Sequence, residues 1–340
     1  MIPQSKARKT LRLKQRLQSD DNLIPQCSYY LLSGEKYENR LKLQCPYIFQ
    51  LEKYPDFTFN GSAAIAGIIL LNHEDTFVLW NPATHEFKII PQSPAESVPP
   101  YLEPLIFIHG FGYDHIKDDF KFIRYIAFSQ ISEDHLELPE DVSWNEEPVW
   151  EIYSLRSNSW RKLDVHMPVH WRFRTLYMDG MCHWWSRNGN YDEHFFVSFN
   201  LNNDMFTTTT IPLDIPSNIV TDFKFKHVQR HLVVLNGSIA SISYYAILLD
   251  QITFHVSILG ELGVKESLTK FFVIGPLLYI DWFVGVGKNG DIFFRKRDGQ
   301  LVYFDLITQK TKELGVKGKS HNYRIAIYKE SLFSIERIDH

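Results

Sequence analysis

Four segments of the sequence share one hairpin-like form, and this repeat limits the possible folds more than any other feature. Each begins with an aromatic residue, continues through polar turn-forming residues and reaches a partner position seven residues later, which is aromatic in three of the four. An aromatic at the end of one strand, a polar turn and a partner on the next strand are typical of a β-hairpin. The segments run from Trp80 to Phe87, Tyr153 to Trp160, Phe199 to Phe206 and Phe304 to Thr311.

The spacing of these hairpins predicts radial repetition. Tyr153 and Phe199 are 46 residues apart, close to the length of one propeller blade. The other gaps are longer and need insertions, such as the acidic stretch at 129–147, or degenerate blades. Short strand-like runs, one of them at 65–71, fill the remainder. We therefore predict an all-β chain that forms a β-propeller-like ring of about six irregular antiparallel blades, with a pair of β-sandwiches as the competing architecture.

Charge is distributed unevenly along the chain. Six Lys and Arg residues fall within the first sixteen positions, which contain no Asp or Glu, so the remainder has 30 basic against 40 acidic residues. A body with a net charge of about −10 is a poor partner for nucleic acid, because that binding depends on cations that neutralise phosphates. We predict a basic N-terminal arm at 1–27, helical or disordered, and one propeller-like domain at 28–340.

Cysteine use and hydropathy indicate the compartment. Cys27, Cys45 and Cys182 are odd in number and widely spaced, which predicts neither a disulfide framework nor a metal site. No apolar stretch follows the basic arm as in a secretory signal, and the longest apolar runs are about half the length that spans a bilayer. These features predict an intracellular protein of the cytoplasm and/or the nucleus, with no membrane partner.

Two motifs resemble functional sites but have simpler interpretations. Gly285 to Gly290 fits a G-x-G-x-x-G pattern, but the residues after it look like a strand rather than the helix that dinucleotide binding requires. We interpret it as a turn. His183 lies beside two tryptophans with no nucleophile motif near it, so we interpret it as a structural histidine of the core.

Asp114, Asp118 and Asp119 form an acidic cluster whose spacing does not match a calcium loop, and we predict a solvated hairpin tip. No catalytic, cofactor-binding or metal-binding residue can be assigned. This favours a non-catalytic binding protein that needs no cofactor.

The segment from Val78 to Pro94 closely resembles the signature of plant F-box proteins that carry an F-box-associated interaction domain, a kelch-like family. Further segments follow in the order that the family has, with Leu268 at a position where Trp is usual. The residues that carry the resemblance are Trp80, Asn81, Pro82, Phe87, Phe111, Gly112, Tyr153, Trp160, Gly180, His183, Trp184, Phe199, Phe304 and Asp305.

The resemblance implies a substrate-recognition component of an SCF-type E3 ubiquitin ligase, which recruits target proteins for ubiquitination and performs no catalysis itself. A Skp-type adaptor and a cullin would join only through an F-box, and residues 1–45 contain no F-box pattern. One alternative is an F-box-less form that binds or protects targets without coupling them to the ligase.

A second alternative is a propeller-type carbohydrate-binding protein, whose exposed tryptophans would stack on sugars. The tryptophans considered for this role are Trp80, Trp171, Trp184, Trp185 and Trp282. For protein binding, the loops at 93–103, 135–147 and 185–192 are the candidate contact regions, because they are long or carry aromatic and acidic residues. The target protein itself is not identified by the sequence.

Overall fold

Among the residues that it describes, the computed structural model has 24 strands in six four-stranded antiparallel sheets, which we call blades I to VI. The residues that it describes are 9–17, 26–46, 64–99, 101–131, 147–168, 175–187, 194–211, 228–245, 251–264, 267–287, 289–317 and 325–336.

The first 211 residues supply blades I to III and the three outer strands of blade VI. Strands β1 (Lys9–Leu17), β2 (Gln26–Ser33) and β3 (Asn39–Lys42) belong to blade VI. Blade I contains β4 (Ala64–Ile65), β5 (Ile68–His73), β6 (Thr76–Trp80) and β7 (Phe87–Ile89), and a short 3-10 helix (Pro94–Glu96) follows it. Blade II contains β8 (Leu102–Asp114), β9 (Asp119–Gln130), β10 (Val149–Ser154) and β11 (Ser159–Leu163). Blade III contains β12 (Leu176–Met178), β13 (Met181–Arg187), β14 (His194–Asn200) and β15 (Met205–Ile211).

The residues after 211 supply blades IV and V and the strand that closes the ring. Blade IV contains β16 (Val228–Leu235), β17 (Ser238–Tyr245), β18 (Gln251–Leu259) and β19 (Leu268–Leu278). Blade V contains β20 (Ile280–Val286), β21 (Ile292–Lys296), β22 (Gln300–Asp305) and β23 (Lys310–Lys317). The last strand, β24 (Ile325–Lys329), is the innermost strand of blade VI.

Contacts between innermost strands close the ring. In order around the axis β4, β8, β12, β16, β20 and β24 each contact the next, and β24 contacts β4 again. Blade VI has the strand order β24-β1-β2-β3, so it joins strands from both ends of the described chain. The predicted all-β propeller with about six blades is confirmed, and the alternative of two β-sandwiches is wrong.

The basic stretch at 9–17 is a strand, and the prediction of a helical or disordered arm is wrong for these residues. In β1, Leu11 pairs with Leu32 of β2 and with Ile327 of β24. The sequence alternates leucines with basic residues here, which is the two-residue period of a strand. The predicted domain boundary at 27/28 falls inside β2, and residues 1–8 and 18–25 lie outside the described residues.

The aromatic hairpins all occupy the same place in the fold, between the third and fourth strands of a blade. The two residues that define each hairpin are direct cross-strand partners. Blade IV lies in the longest interval between these hairpins, from Phe206 to Phe304, and has a different connection at 260–267. The pairs are Trp80 with Phe87, Tyr153 with Trp160, Phe199 with Phe206, and Phe304 with Thr311.

The run at 65–71 is a hairpin rather than the single strand that its apolar sequence predicts. Ala66 and Gly67 turn the chain between β4 and β5, with φ angles of 47° and 88°. A Cβ atom on Gly67 would lie 2.5 Å from the Cβ atom of Ser331, so the turn also needs a glycine for close packing against blade VI.

The up-and-down order of strands gives the ring two different faces. The turn face carries the first-to-second and third-to-fourth connections, which are short, for example 66–67, 179–180 and 236–237. The loop face is where the second-to-third and blade-to-blade connections leave and return, and these include the long segments 43–63, 90–101, 131–148 and 212–227. Most of the residues that connect strands therefore belong to connections on the loop face.

Apolar cores fill the junctions between neighbouring blades. Trp80 packs edge-on against Tyr29 at the junction of blades VI and I, with ring centroids 5.6 Å apart. At the junction of blades IV and V, Phe254 lies 4.5 Å from Phe294. Flat aromatic side chains suit this role, because each can cover a neighbouring sheet from a strand end.

Candidate recognition face

In blade II, strands β8 and β9 extend beyond β10 on the loop face. Strands β8 and β9 continue as a two-stranded ribbon, in which residues 102–105 pair with 127–130. Strand β10 pairs with β9 only as far as Ile126, so β10 does not cover the ribbon. The side chain of Leu105 is 37% exposed there, and Phe107 is partly exposed. We call residues 102–107 and 125–130 the blade II ribbon.

A buried group of charges, the Arg124 cluster, lies beneath the ribbon. It consists of Ser93, Glu96, Arg124 and Glu151. Nη2 of Arg124 lies 2.6 Å from Oε1 of Glu96 and 2.9 Å from Oε2 of Glu151. The Ser93 hydroxyl donates to Glu151, and the Ser93 backbone N–H donates to Glu96 at 2.8 Å.

This cluster fixes the connection at 90–101 to blade II. The Arg124 guanidinium also stacks on the ring of Trp160, 3.7 Å from its centroid, and the Trp160 indole N–H donates to the Pro91 carbonyl at 2.7 Å. Charge-assisted hydrogen bonds and cation–π stacking both hold a planar guanidinium in one orientation. The start of the connection is thus held rigidly at the base of the ribbon.

A small apolar cavity lies on the ring axis. Its volume is about 320 Å³, and its lining includes Ile65, Leu176, Leu232 and Phe283 from four different blades. Among the described residues, no group of three or more His, Cys, Asp or Glu side chains is placed to hold a metal ion. The axis therefore offers apolar surface rather than a set of acid, base or ligand groups.

Two buried histidines of the core, His109 and His183, have pKa values that burial lowers. His183 lies 2.9 Å from the Ser198 hydroxyl and stacks on Phe196, and burial lowers its pKa to about 4. Burial likewise lowers the pKa of His109 to about 4, although its contact with the Phe107 carbonyl acts in the opposite direction. The interpretation of His183 as a structural residue agrees with this placement.

The aspartate cluster is not a solvated hairpin tip, and that prediction is wrong for two of its three members. Asp114 is buried and pairs with Lys121 at 2.6 Å, and its other oxygen accepts from the backbone N–H groups of Ile116 and Lys117. Burial opposes ionisation of Asp114, but these donors keep its pKa below the ordinary value. Asp119 is also buried, and burial raises its pKa.

The G-x-G-x-x-G segment is a turn, as predicted. Gly285 lies in β20, and the strand β21 follows Gly290 where dinucleotide binding would need a helix. A Cβ atom on Gly287 would lie 2.5 Å from the hydroxyl oxygen of Tyr37, so this glycine allows blades V and VI to approach closely.

The tryptophans proposed to stack on sugars are mostly inside the protein. Trp80, Trp184 and Trp185 are buried, and Trp282 is partly buried. Trp171 lies outside the described residues. A ring that is buried between blades presents no face to a sugar, so these three residues do not support the carbohydrate-binding alternative.

The residues of the family signature lie in hairpins and blade junctions rather than in one pocket. Asn81 is buried, and its side chain donates to the carbonyls of Ser331 and Phe333 at 3.0 and 2.7 Å, which fastens blade I to the end of blade VI. A Cβ atom on Gly112 would lie 2.2 Å from the Tyr177 ring, so this glycine permits close contact of blades II and III.

The other signature residues are also structural. Pro82 lies in the blade I hairpin with Phe87, and Asp305 accepts backbone N–H groups of its own hairpin at 3.0 Å. Gly180 has a φ of 81°, which a turn of two residues requires here. The large side chains of the signature pack into the cores, and these are Phe111, Tyr153, Trp160, Trp184, Phe199 and Phe304.

A family comparison agrees with this architecture. The model of the F-box associated beta propeller domain matches residues 26–336. The chain belongs to this family. F-box protein CPR1 of Arabidopsis thaliana is 24% identical over 300 residues, which cover 82% of this chain and 68% of that protein. Another Arabidopsis thaliana protein, described as an F-box protein, is 26% identical over 211 residues, 61% of this chain and 52% of its own length.

Similarity to solved structures is remote. TolB from Acinetobacter baumannii aligns with 93% of this chain and 66% of its own length, at 10% identity and a TM-score of 0.49. Within the described part of the chain, no helix has the length and the apolar character needed to cross a membrane.

All three loops that the sequence predicts as contact regions belong to connections on the loop face. The first, at 93–103, is described apart from residue 100 and includes the capped helix and the start of the ribbon. Trp185 lies buried in β13, and residues 132–146 and 188–193 lie outside the described residues. The sequence reasoning missed the Arg124 cluster. Its signal is an arginine inside the apolar run at 122–126, since a charge in such a run needs a buried partner.

Proposed function

We propose that this chain is the target-recognition component of an SCF-type E3 ubiquitin ligase and that it binds its target on the loop face. Family membership supports the ligase role, since the relatives are F-box proteins. The observation that supports the choice of face is the concentration of long connections there, because binding residues commonly lie on loops that a rigid scaffold holds in place.

The position of β1 supports the same choice. Strand β1 pairs antiparallel with β24, which runs from the loop face to the turn face, so β1 begins at the turn face. A ligase-binding segment attached ahead of β1 would lie on the side opposite to the loop face. A target on the loop face would then be held clear of the adaptor, and the chain would contribute proximity and orientation rather than bond chemistry.

Within the loop face, the blade II ribbon is the anchor that we assign to the target. It carries exposed apolar surface on a strand pair whose base is fixed by the Arg124 cluster. A rigid apolar element loses little conformational entropy on binding, so more of its contact energy contributes to affinity.

The test compares two surfaces of the same blade in plant cells. The tagged full chain is expressed with its ribbon altered by Leu105→Ser and Phe107→Ser, or with Ile116→Ser on the turn face as a matched control that is also exposed. Captured proteins are quantified after proteasome inhibition. We expect specific proteins that carry ubiquitin to be lost with the ribbon variant and retained with the control.

The outcomes separate the alternatives. Capture of ubiquitin-bearing targets together with a Skp-type adaptor supports the ligase role. Capture of the same targets without an adaptor, together with inhibition of their ubiquitination by the purified chain, would support a protective role. If the ribbon variant and the control variant change the amount of captured target equally, the proposed binding face is contradicted.

A further inference from the structure

Each blade of the ring ends in an outermost strand, and in the described part of the chain nothing pairs with its outer edge. These strands are β3, β7, β11, β15, β19 and β23. An unpaired edge presents a row of backbone N–H and C=O groups that another extended chain can bind. Proteins commonly protect such edges with charged residues, proline, bulges or short strands. The six edges can therefore be compared by the protection that each one carries.

Five of the six outermost strands carry such protection. Strands β3 and β7 have only four and three residues, and each contains a lysine. Strand β11 contains Arg161 next to Lys162. Strand β19 contains Lys270 and Pro276, and two register shifts interrupt its pairing with β18. Strand β23 begins and ends with a lysine.

The outermost strand of blade III, β15, has none of these features. It is seven residues long, from Met205 to Ile211, and contains no charged residue, proline or glycine. It pairs with β14 without a register shift. Four consecutive threonines occupy 207–210, and β-branched residues favour the extended backbone of a strand. The edge of β15 is therefore long, regular and uncharged, which is the kind of edge that accepts another strand.

Contacts with both neighbouring blades hold β15 in place. On the side of blade IV, the Gly263 N–H donates to the hydroxyl of Thr209, which is buried, at 2.7 Å. On the side of blade II, Arg161 pairs at 2.7 Å with Asp204, which lies in the turn that leads into β15. Thr208 is exposed between these two contacts. The edge is thus presented in a fixed position, and a partner strand would not have to order it.

Charge and size indicate the kind of partner. Because β15 is uncharged, the best matched strand is also uncharged and rich in β-branched residues, which pair well with threonine across strands. A second copy joined only through β15 would share a ladder about 23 Å long and about 10 Å thick, so it would bury roughly 500 Å² in total. Stable interfaces between folded proteins bury about 1,200–2,000 Å². An extended peptide segment, in contrast, can bind along one edge through main-chain hydrogen bonds.

We infer that the outer edge of β15 is a docking site for an extended, uncharged segment of a partner protein, which adds to blade III as a fifth strand. The backbone of that segment would bond to the outward N–H and C=O groups of β15, and its β-branched side chains would lie beside the threonines. The inference does not depend on the ligase role or on the loop face, because β15 lies on the outside of the ring.

The experiment uses the purified full chain and two labelled nonapeptides. In the first, Thr alternates with Val between terminal glutamines, and in the second, proline replaces two adjacent central residues. Binding is measured by fluorescence anisotropy. We expect the first peptide to bind at least about tenfold more tightly, because adjacent prolines remove a backbone donor and interrupt the ladder. Amide hydrogen exchange at 205–211 should slow with the first peptide and not with the second, because an added strand protects the outward N–H groups.

A pair of substitutions tests the edge itself. Thr207→Lys with Thr208→Lys, both at exposed positions, gives β15 an adjacent basic pair like that of β11 and should weaken binding of the first peptide about tenfold. The matched control is Ser159→Lys with Thr311→Lys, which adds the same charge at exposed positions of β11 and β23. The control should leave the affinity unchanged, and so should Leu105→Ser in the ribbon.

The outcomes distinguish strand addition from other behaviour. Equal affinity for the two peptides, no binding at millimolar concentration, unchanged hydrogen exchange at 205–211, or equal effects of the two lysine variants would overturn the inference. Sedimentation that shows a dimer dissolved by Thr207→Lys with Thr208→Lys would assign the edge to a second copy instead.

Discussion

The junction of blades I and II and the junction of blades IV and V solve the same packing problem differently. Both contain an aromatic core, but the first buries the Arg124 cluster and closes its outer side with the Trp160 indole. The second relies on apolar contacts such as Phe254 against Phe294 and leaves a groove open. Buried ion pairs therefore hold the first junction in one geometry and require every partner to be present. Apolar packing holds the second junction and leaves part of its outer surface uncovered.

The largest effect should come from removing the cation of the first junction. Arg124→Met leaves Glu96 and Glu151 buried without their partner, and it should lower the free energy of unfolding by about 3–5 kcal/mol. Urea denaturation measures this change. Arg161→Met is the control, because Arg161 is 55% exposed and its pair with Asp204 should contribute less than about 1 kcal/mol. Equal losses for the two variants would contradict the special role of the buried cluster.

Acid should weaken the side of the ring that holds the buried histidines. His109 and His183 have folded pKa values of about 4, below the ordinary value of 6.5. The unfolded chain therefore binds more protons below pH 6.5, and stability should fall between pH 6.5 and about pH 4 by up to roughly 3 kcal/mol for each histidine.

Unfolding in urea at pH 7, 5.5 and 4 tests the effect of acid. His109→Gln and His183→Gln should each flatten the pH profile, whereas His166→Gln, at an exposed position, should leave its slope unchanged. A profile with the same slope in all four proteins would show that neither buried histidine is responsible.

Close approach of blades II and III should make Gly112 intolerant of a side chain. Gly112→Ala places a Cβ atom 2.2 Å from Tyr177 and 2.6 Å from Leu201, and this overpacking should cost about 1–3 kcal/mol. Thermal unfolding measures the loss. Gly260→Ala, where the nearest atom is the Ser267 carbonyl oxygen at 3.3 Å, should cost less, and the reverse order would contradict the packing argument.

The smallest effect on stability is expected at two exposed apolar side chains, Phe271 of blade IV and Ile307 of blade V. Phe271→Ser and Ile307→Ser should each change the free energy of unfolding by no more than about 0.5 kcal/mol, because both side chains are exposed. A loss above about 1 kcal/mol from either variant, measured by urea denaturation, would mean that these side chains contribute to the packing of the fold.

Local patterns in the sequence predicted the parts of the fold that local interactions determine. The hairpin from Tyr153 to Trp160 could be found because both partners lie within eight residues. In contrast, β1 depends on β24, which lies at the other end of the chain, and the period of two in its leucines was too short a signal to overcome the high density of basic residues.

The candidate sites show the same division. The loop at 93–103 could be selected from its sequence alone, whereas the Arg124 cluster joins residues from three separate segments that meet only in the folded ring. Asp114 looked solvated because its partner Lys121 lies in the same hairpin, and the Leu201 carbonyl that also accepts from Lys121 comes from the next blade. The absence of charge in β15 is visible in the sequence, but only the sheet order shows that this strand is the outermost of its blade.

The shared composition of blade VI has a consequence for synthesis on the ribosome. Strands β1 to β3 are made first, but their inner neighbour β24 begins about 280 residues later. At roughly 5–20 residues per second, the nascent chain carries an unfinished sheet for roughly 15–60 s. During that interval blades I to V can form, but the ring stays open, so β1 to β3 are made before the other strands and are the last to complete their native sheet.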